Sequence, residues 1–173
     1  MEEILAEELK ELNAENIKTA TRAVYFEGNK ELLYKANLHL RTALNILVPL
    51  KTYYVRNEDE LYKCIKKINW SKYISVDDSI AIESVVHSKF FKHSKYVSLK
   101  TKDAIVDQFR DKYKKRPDVN IENPSLKINI HINQEKCTVS LDSSGDSLHK
   151  RGYRKSKNQA PLNEVLAAGI IKL

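Results

Sequence analysis

Two stretches of the chain concentrate side chains that could bind phosphate. From Ser147 to Lys157 there is no acidic residue, and Lys150, Arg151, Arg154, Lys155 and Lys157 supply five positive charges. From Ser84 to Lys102 acids are again absent, and Lys89, Lys92, Lys95, Lys100 and Lys102 supply five more. The first fifteen residues carry six Glu against Lys10 alone, so the net charge of +7 is locally concentrated. Local positive charge is the footprint of a surface that tracks a phosphate backbone. In the first stretch His149 stands beside the cations, and Gly152 permits close backbone approach. Arg151 and Arg154 can pair bidentately with phosphate, and the ring of Tyr153 can stack on a base. In the second stretch Phe90, Phe91 and Tyr96 are interleaved with the lysines, as are His87 and His93. The competing structural account is plain. Lysine runs are often solvated loop, Phe90 and Phe91 suit a core, and Tyr153 could pack on a neighbouring hairpin.

Catalytic constellations are not evident. The four glycines, Gly28, Gly145, Gly152 and Gly169, are too far apart for a dinucleotide or phosphate cradle. The five histidines show no metal-ligand spacing with Cys64 and Cys137. Both cysteines fall in apolar registers, which suits buried thiols in a reducing cytoplasm. Asp142 and Asp146 bracket a Ser-Ser-Gly turn and suit Asx-type hydrogen bonds better than acid/base work. No apolar run approaches the ~18 residues of a membrane span, and no charged-then-apolar leader precedes the first helix. A cytoplasmic protein without a membrane partner is expected.

The elements that must position these residues follow from periodicity. At 173 residues and 42% apolar content the chain suits one ordinary domain or two small ones. Ile4, Leu5, Leu9 and Leu12 lie at helical spacing from the first residue on, so an upstream strand is expected. Ile17 to Phe26 reads as a strand, Gly28-Asn29 as a turn, and Leu32, Leu33, Ala36 and Leu40 as a second helix. Ile46 to Val55 reads as a strand in which Pro49 marks an edge or a bulge. This αβαβ order resembles most of a ferredoxin-like unit lacking its first strand. Asn57 and Glu60 form a capping-box pattern ahead of Leu61, Cys64, Ile65 and Ile68. Trp70 and Tyr73 suit packing under the turn that follows. Ile80, Ile82 and Val85 suggest a strand, and Ile105, Phe109 and Tyr113 mark a helix over Leu99 to Lys115. Leu126, Ile128, Ile130 and Ile132, then Cys137, Val139 and Leu141, alternate with polar residues as a β-hairpin. Lys155 to Gln159 reads as a linker, and Pro161 suits the first turn of a last apolar helix.

The hairpin and its basic exit loop resemble the end of a THUMP domain, an RNA-binding module of RNA-modifying enzymes. Three segments narrow the resemblance: Lys102-Asp103-Ala104-Ile105-Val106-Asp107, Leu141 through Arg154, and Ala160-Pro161-Leu162-Asn163-Glu164-Val165-Leu166-Ala167-Ala168. Together with Ile68-Asn69-Trp70 they are similar to bacterial THUMP-containing, S-adenosylmethionine-dependent methyltransferases that modify the N2 of a guanine in 23S rRNA. The resemblance implies an α+β chain. Residues 1–54 would be a truncated ferredoxin-like unit and 55–154 a THUMP domain. Residues 155–173 would be a linker and the first helix of a Rossmann-like methyltransferase domain lying downstream. It implies RNA as partner, rRNA first and tRNA second, with the downstream domain as a further partner. No cofactor is expected in the chain itself, and S-adenosylmethionine is expected in the longer protein. The implied RNA contacts are Lys89, Lys92, Lys95, Lys100, Lys102, His149, Lys150, Arg151, Gly152, Tyr153, Arg154 and Lys155. Ala160 to Glu164 would flank the cofactor pocket. The rival readings are a tRNA guanine methyltransferase, a thiouridine-forming enzyme, and a non-catalytic module that docks on ribosomal or assembly proteins.

Overall fold

In the computed structural model, residues 1–152 and 162–173 are described. They divide into two units, Met1–Ile46 with Asp146–Leu173, and Leu47–Gly145.

The first unit begins with α1, Glu2–Glu11, which buries Ile4 and Leu9 as its spacing predicts. The expected single strand over 17–26 is instead a hairpin, β1 at Glu15–Ala20 and β2 at Ala23–Glu27, paired antiparallel. The connection is only Thr21-Arg22, with Arg22 at φ 60°. Tight hairpin turns need positive φ, which Asn and Gly usually signal, and here neither does. Next, α2 at Lys30–His39 is capped by Asn29, whose side chain accepts from the Leu32 amide at 2.9 Å. The order α1-β1-β2-α2 is the inner part of a βαββαβ ferredoxin-like unit, rather than the αβαβ expected. Leu9, Ala36, Leu40, Ala43 and Ile46 form its core.

Glu8 lies within this unit, 4% exposed. Its Oε2 accepts from the Thr42 hydroxyl at 2.7 Å and the Thr42 and Arg41 amides at 3.1 and 3.2 Å. Its Oε1 lies 3.2 Å from Lys172 Nζ, on α5 (Glu164–Lys172). Burial alone would raise the Glu8 carboxyl, but Thr42, Lys172 and Arg41 outweigh it and hold the group below its ordinary 4.5. The last helix also lies close to the first residue, because a Cβ on Gly169 would meet the Met1 sulfur at 2.3 Å.

The second unit is a five-stranded sheet, order β3-β7-β6-β4-β5, with helices α3 and α4. The strands are β3 (Leu47–Tyr54), β4 (Ser79–His87), β5 (Asp118–Val119), β6 (Leu126–Asn133) and β7 (Lys136–Asp142). The helices are α3 (Glu58–Lys66) and α4 (Ser94–Tyr113). Strand β3 pairs with β7, so it belongs here and not to the first unit, where the sequence placed it. Pairing at a separation of some ninety residues leaves no local signal. Pro49 does sit on an edge strand, beside a register shift between Pro49 and Lys51, where its missing N–H is tolerated.

The β6–β7 hairpin forms in the predicted register, with Ile128, Ile130, Ile132, Cys137 and Val139 fully buried. Burial pushes the Cys137 thiol up to about 12. Helix α4 starts five residues before the expected Leu99 and packs Val97, Ala104, Ile105 and Phe109 on the core with Leu61 and Ile65 of α3. Asn57 caps α3 as predicted, accepting from the Glu60 amide at 2.9 Å, while Glu60 accepts from the Arg56 amide at 2.7 Å. Trp70 is fully buried and donates through Nε1 to the Ile65 carbonyl at 3.0 Å. No helix among the described residues is long and apolar enough to cross a membrane.

Glu8 offers a direct test. Its folded-state value is depressed, so its stabilisation is present above about pH 4.5 and is lost as pH falls below that value. Glu8→Ala strands its buried partners and is expected to cost about 2–3 kcal/mol at pH 7 in urea denaturation. Glu8→Gln is expected to flatten the acid limb of the stability–pH curve.

Candidate nucleic-acid interface

The lysine stretch lies wholly in the second unit. Lys89 and Lys92 stand in the loop between β4 and α4, and Lys95, Lys100 and Lys102 on α4 itself. Phe91 of the same loop is core, 3% exposed, and Phe90 packs against that core. The aromatic residues therefore fasten the loop, and Lys89 Nζ lies 5.1 Å from the Phe90 ring centre. Lys89, Lys92 and Lys95 are exposed. Lys100 and Lys102 are half-buried, and Lys102 is 2.9 Å from Asp103.

The placement of these charges differs between the two ends of α4. A helix N-terminus carries partial positive charge and its C-terminus partial negative charge. At the C-terminal end Arg110 and Lys112 complement the dipole. Lys112 also donates to Ser71 Oγ at 3.1 Å and covers the Tyr113 ring at 4.9 Å. At the N-terminal end the sign is wrong for stability. The first turn has no acid, His93 makes no side-chain cap, and Lys92 and Lys95 flank the start. Each such cation costs a few tenths to about 1 kcal/mol at this end. An anion placed there is favoured by both the amides and the lysines.

The exit loop lies in the first unit, not with the hairpin that leads into it. Asp142 fixes the turn as expected, its Oδ1 accepting from the Ser144 amide at 2.9 Å. Leu148–Lys150 form a short 3-10 turn. The Leu148 amide and the Ser147 hydroxyl donate to the Leu44 carbonyl at 2.8 and 3.0 Å. His149 is half-buried, with Nδ1 2.9 Å from Ser147 Oγ.

Arg151 has a role that its residue type does not reveal. Its Nη2 donates to the carbonyls of Asn37 at 2.8 Å and Leu40 at 2.7 Å, its Nη1 to that of Leu38, and its Nε to that of Leu148 at 3.1 Å. These carbonyls include the end of α2, where helical partners run out. The guanidinium thus caps α2 and complements its dipole. With four of its five N–H groups so used, it lacks the free fork that bidentate phosphate pairing requires. Lys150 is exposed, and Gly152 takes φ +76°, a conformation that side chains rarely adopt. Tyr153, Arg154 and Lys155 lie outside the described residues, as do Ala160 and Pro161.

One group escapes the sequence reading. Tyr54 at the end of β3, Lys89, and Lys136 at the start of β7 line a single groove of about 530 Å³ at one end of the sheet. They come from three separate segments, so no spacing rule joins them.

Known protein families match most of the chain. Residues 55–142 match the THUMP domain model, and residues 1–47 match the RlmL ferredoxin-like domain model. The chain is 42% identical over 173 residues to a Synechocystis protein named "Putative RNA methyltransferase slr0064", covering 100% of this chain and 45% of that one. It is 35% identical to the ribosomal RNA large subunit methyltransferase K/L of Syntrophotalea carbinolica, covering 99% of this chain and 24% of that one. Among solved structures it is similar to a Listeria monocytogenes protein titled a "predicted N6-adenine-specific DNA methylase". That match has a TM-score of 0.82 and 28% identity, over 99% of this chain and 45% of that one. The chain thus spans less than half the length of these relatives.

The capping role of Arg151 has a measurable consequence. Arg151→Ala is expected to destabilise the first unit by about 2–3 kcal/mol, the scale of losing several charge-assisted hydrogen bonds. Lys150→Ala, at an exposed neighbour, is expected to change stability by less than about 0.5 kcal/mol. Denaturant melts of both, with hydrogen exchange read at α2, check the contrast.

Proposed function

The chain belongs to the THUMP domain family and carries an RlmL-type ferredoxin-like domain ahead of that module, and from this premise we propose that it is the RNA-gripping part of an S-adenosylmethionine-dependent RNA methyltransferase. In the whole, cytoplasmic protein it holds structured 23S rRNA so that a downstream methyltransferase domain meets the N2 of one guanine. The name of the Syntrophotalea relative supports rRNA as the substrate class. The observation that carries the RNA reading is the start of α4. There Lys92 and Lys95 oppose the helix dipole and the first turn of α4 holds no acid to compensate them, an arrangement that a phosphate group relieves. Lys89 and Lys100 extend this surface, with Lys102 at its margin. In the exit segment Lys150, Gly152, Tyr153, Arg154 and Lys155 remain proposed contacts. Arg151 and His149 are better read as supports of the loop.

We place the methyl donor in the downstream domain of the longer protein. A Cβ on Gly28 would meet the Leu32 side chain at 2.1 Å, and Gly169 is closed by Met1. Gly145 and Gly152 are turn residues at positive φ. The described residues bind and orient RNA, and methyl transfer belongs to the downstream domain.

RNA binding measured across a salt series tests this. The wild-type chain is expected to lose affinity steeply with salt, and Lys92→Glu/Lys95→Glu to reduce the log–log slope by roughly 1.5, two phosphates' worth. A tRNA and an rRNA hairpin run in parallel separate the two substrate classes. Salt-sensitive binding that the double variant leaves unchanged moves the contact to the 150–155 segment. Binding to ribosomal protein with little salt dependence, and none to RNA, identifies the chain as a protein-docking module instead.

A further inference from the structure

The groove at the end of the sheet has the chemistry of a nucleobase site. Its volume, about 530 Å³, lies inside the roughly 300–1,000 Å³ range of small-ligand pockets. Tyr54 stands on its wall 75% exposed, a large ring with most of its surface in water. Phe90 lines the same groove, as do Asn133 and Gln134. Neutral amides carry both donors and acceptors and can read the hydrogen-bonding edge of an unpaired base. Lys89 and Lys136 flank them and are exposed. One anion also lines the groove, Glu135, but Arg56 Nη2 holds its Oε2 at 3.1 Å and offsets the charge.

The frame of the groove is fixed before any ligand arrives. The Gln134 amide donates to the His87 carbonyl at 2.7 Å, and the Val55 amide to the Glu135 carbonyl at 2.8 Å. Ser88 Oγ donates to the Gln134 carbonyl at 2.6 Å and accepts from the Phe90 amide at 3.1 Å. Gln134 sits at φ 53°, which turns the chain sharply between β6 and β7. The backbone of the turn is therefore tied on both sides.

We propose that this groove binds one unpaired nucleotide of the RNA, its base stacked on Tyr54 and read by Asn133 and Gln134, its phosphates held by Lys89 and Lys136. The inference rests on the RNA-binding reading above and adds to it a preference for unpaired over paired RNA. A fully paired hairpin offers only its backbone, whereas a bulge or loop offers a free ring face.

The test uses the full chain and two RNA hairpins, one fully paired and one with a short bulge that includes a fluorescent adenine analogue. The wild type is expected to bind the bulged hairpin about ten-fold more tightly, the scale of one base–aromatic stack, and to quench the analogue. Tyr54→Ala is expected to lose both the preference and the quench while binding the paired hairpin as before. Tyr54→Trp is expected to restore both. Circular dichroism confirms that the variants, altered at an exposed position, remain folded. A bulge preference that survives Tyr54→Ala, or no preference in the wild type, overturns the groove inference and leaves the RNA reading standing. Failure of the wild type to bind either hairpin overturns the RNA reading itself.

Discussion

Parallel pairing of β4 with β6 sets Ile80 beside Leu126 and His87 beside Asn133, and antiparallel pairing sets Asn133 beside Lys136. This register buries Ile128, Ile130 and Ile132 on one face and turns Asn129 and His131 to the other. A slip of one residue would exchange the two sets, drive His131 and Asn129 into the core, and expose three isoleucines at a cost of roughly 1.5–3 kcal/mol each. The same register brings the end of β3, the β6–β7 turn and the loop into α4 to one end of the sheet. Tyr54, Lys136 and Lys89 meet there because the core permits no other alignment. Even the polar face shows the constraint. His131 is held below its ordinary value by partial burial and by the nearby His87, whose ring centre is 6.4 Å away.

The charges of this protein fall into two populations that residue type does not distinguish. Glu8 and Arg151 are spent on backbone. Each satisfies amides or carbonyls that would otherwise lack partners, and such bonds are worth about 1.5–3 kcal/mol each when one side is charged. Exposed ion pairs such as Lys35–Glu31, at 2.7 Å, contribute a fraction of that. Lys92 and Lys95 do neither, standing where the helix dipole disfavours them. Those two lysines are the ones on which the proposed RNA contact rests.

Local physics was readable from the residues. The capping of α3 by Asn57, the alternation of the hairpin, the Asx turn at Asp142 and the edge placement of Pro49 each depend on neighbours a few positions away. Three things were not readable, for related reasons. The turn at Thr21-Arg22 uses positive φ at an arginine, so the hairpin β1–β2 looked like one strand. The pairing of β3 with β7 is long-range, so β3 was grouped with the unit that precedes it. The carbonyls that Arg151 caps lie more than a hundred positions upstream, so it looked like any other arginine in a basic loop. The groove residues share this last difficulty, because the fold alone assembles them.

The first unit is built from both ends of the chain, and the second is threaded between them, entering at Leu47 and leaving after Asp142, which are register partners. This has a consequence for synthesis on the ribosome. By the time Gly145 has emerged, every strand and helix of the second unit is available, and that unit can close. The first unit still lacks Arg151 for α2 and Lys172 for Glu8. At roughly 5–20 residues per second, its opening segment waits on the order of ten seconds, with the C-terminal end of α2 lacking Arg151 and the Glu8 carboxylate lacking Lys172, before the first unit can close on its own last helix.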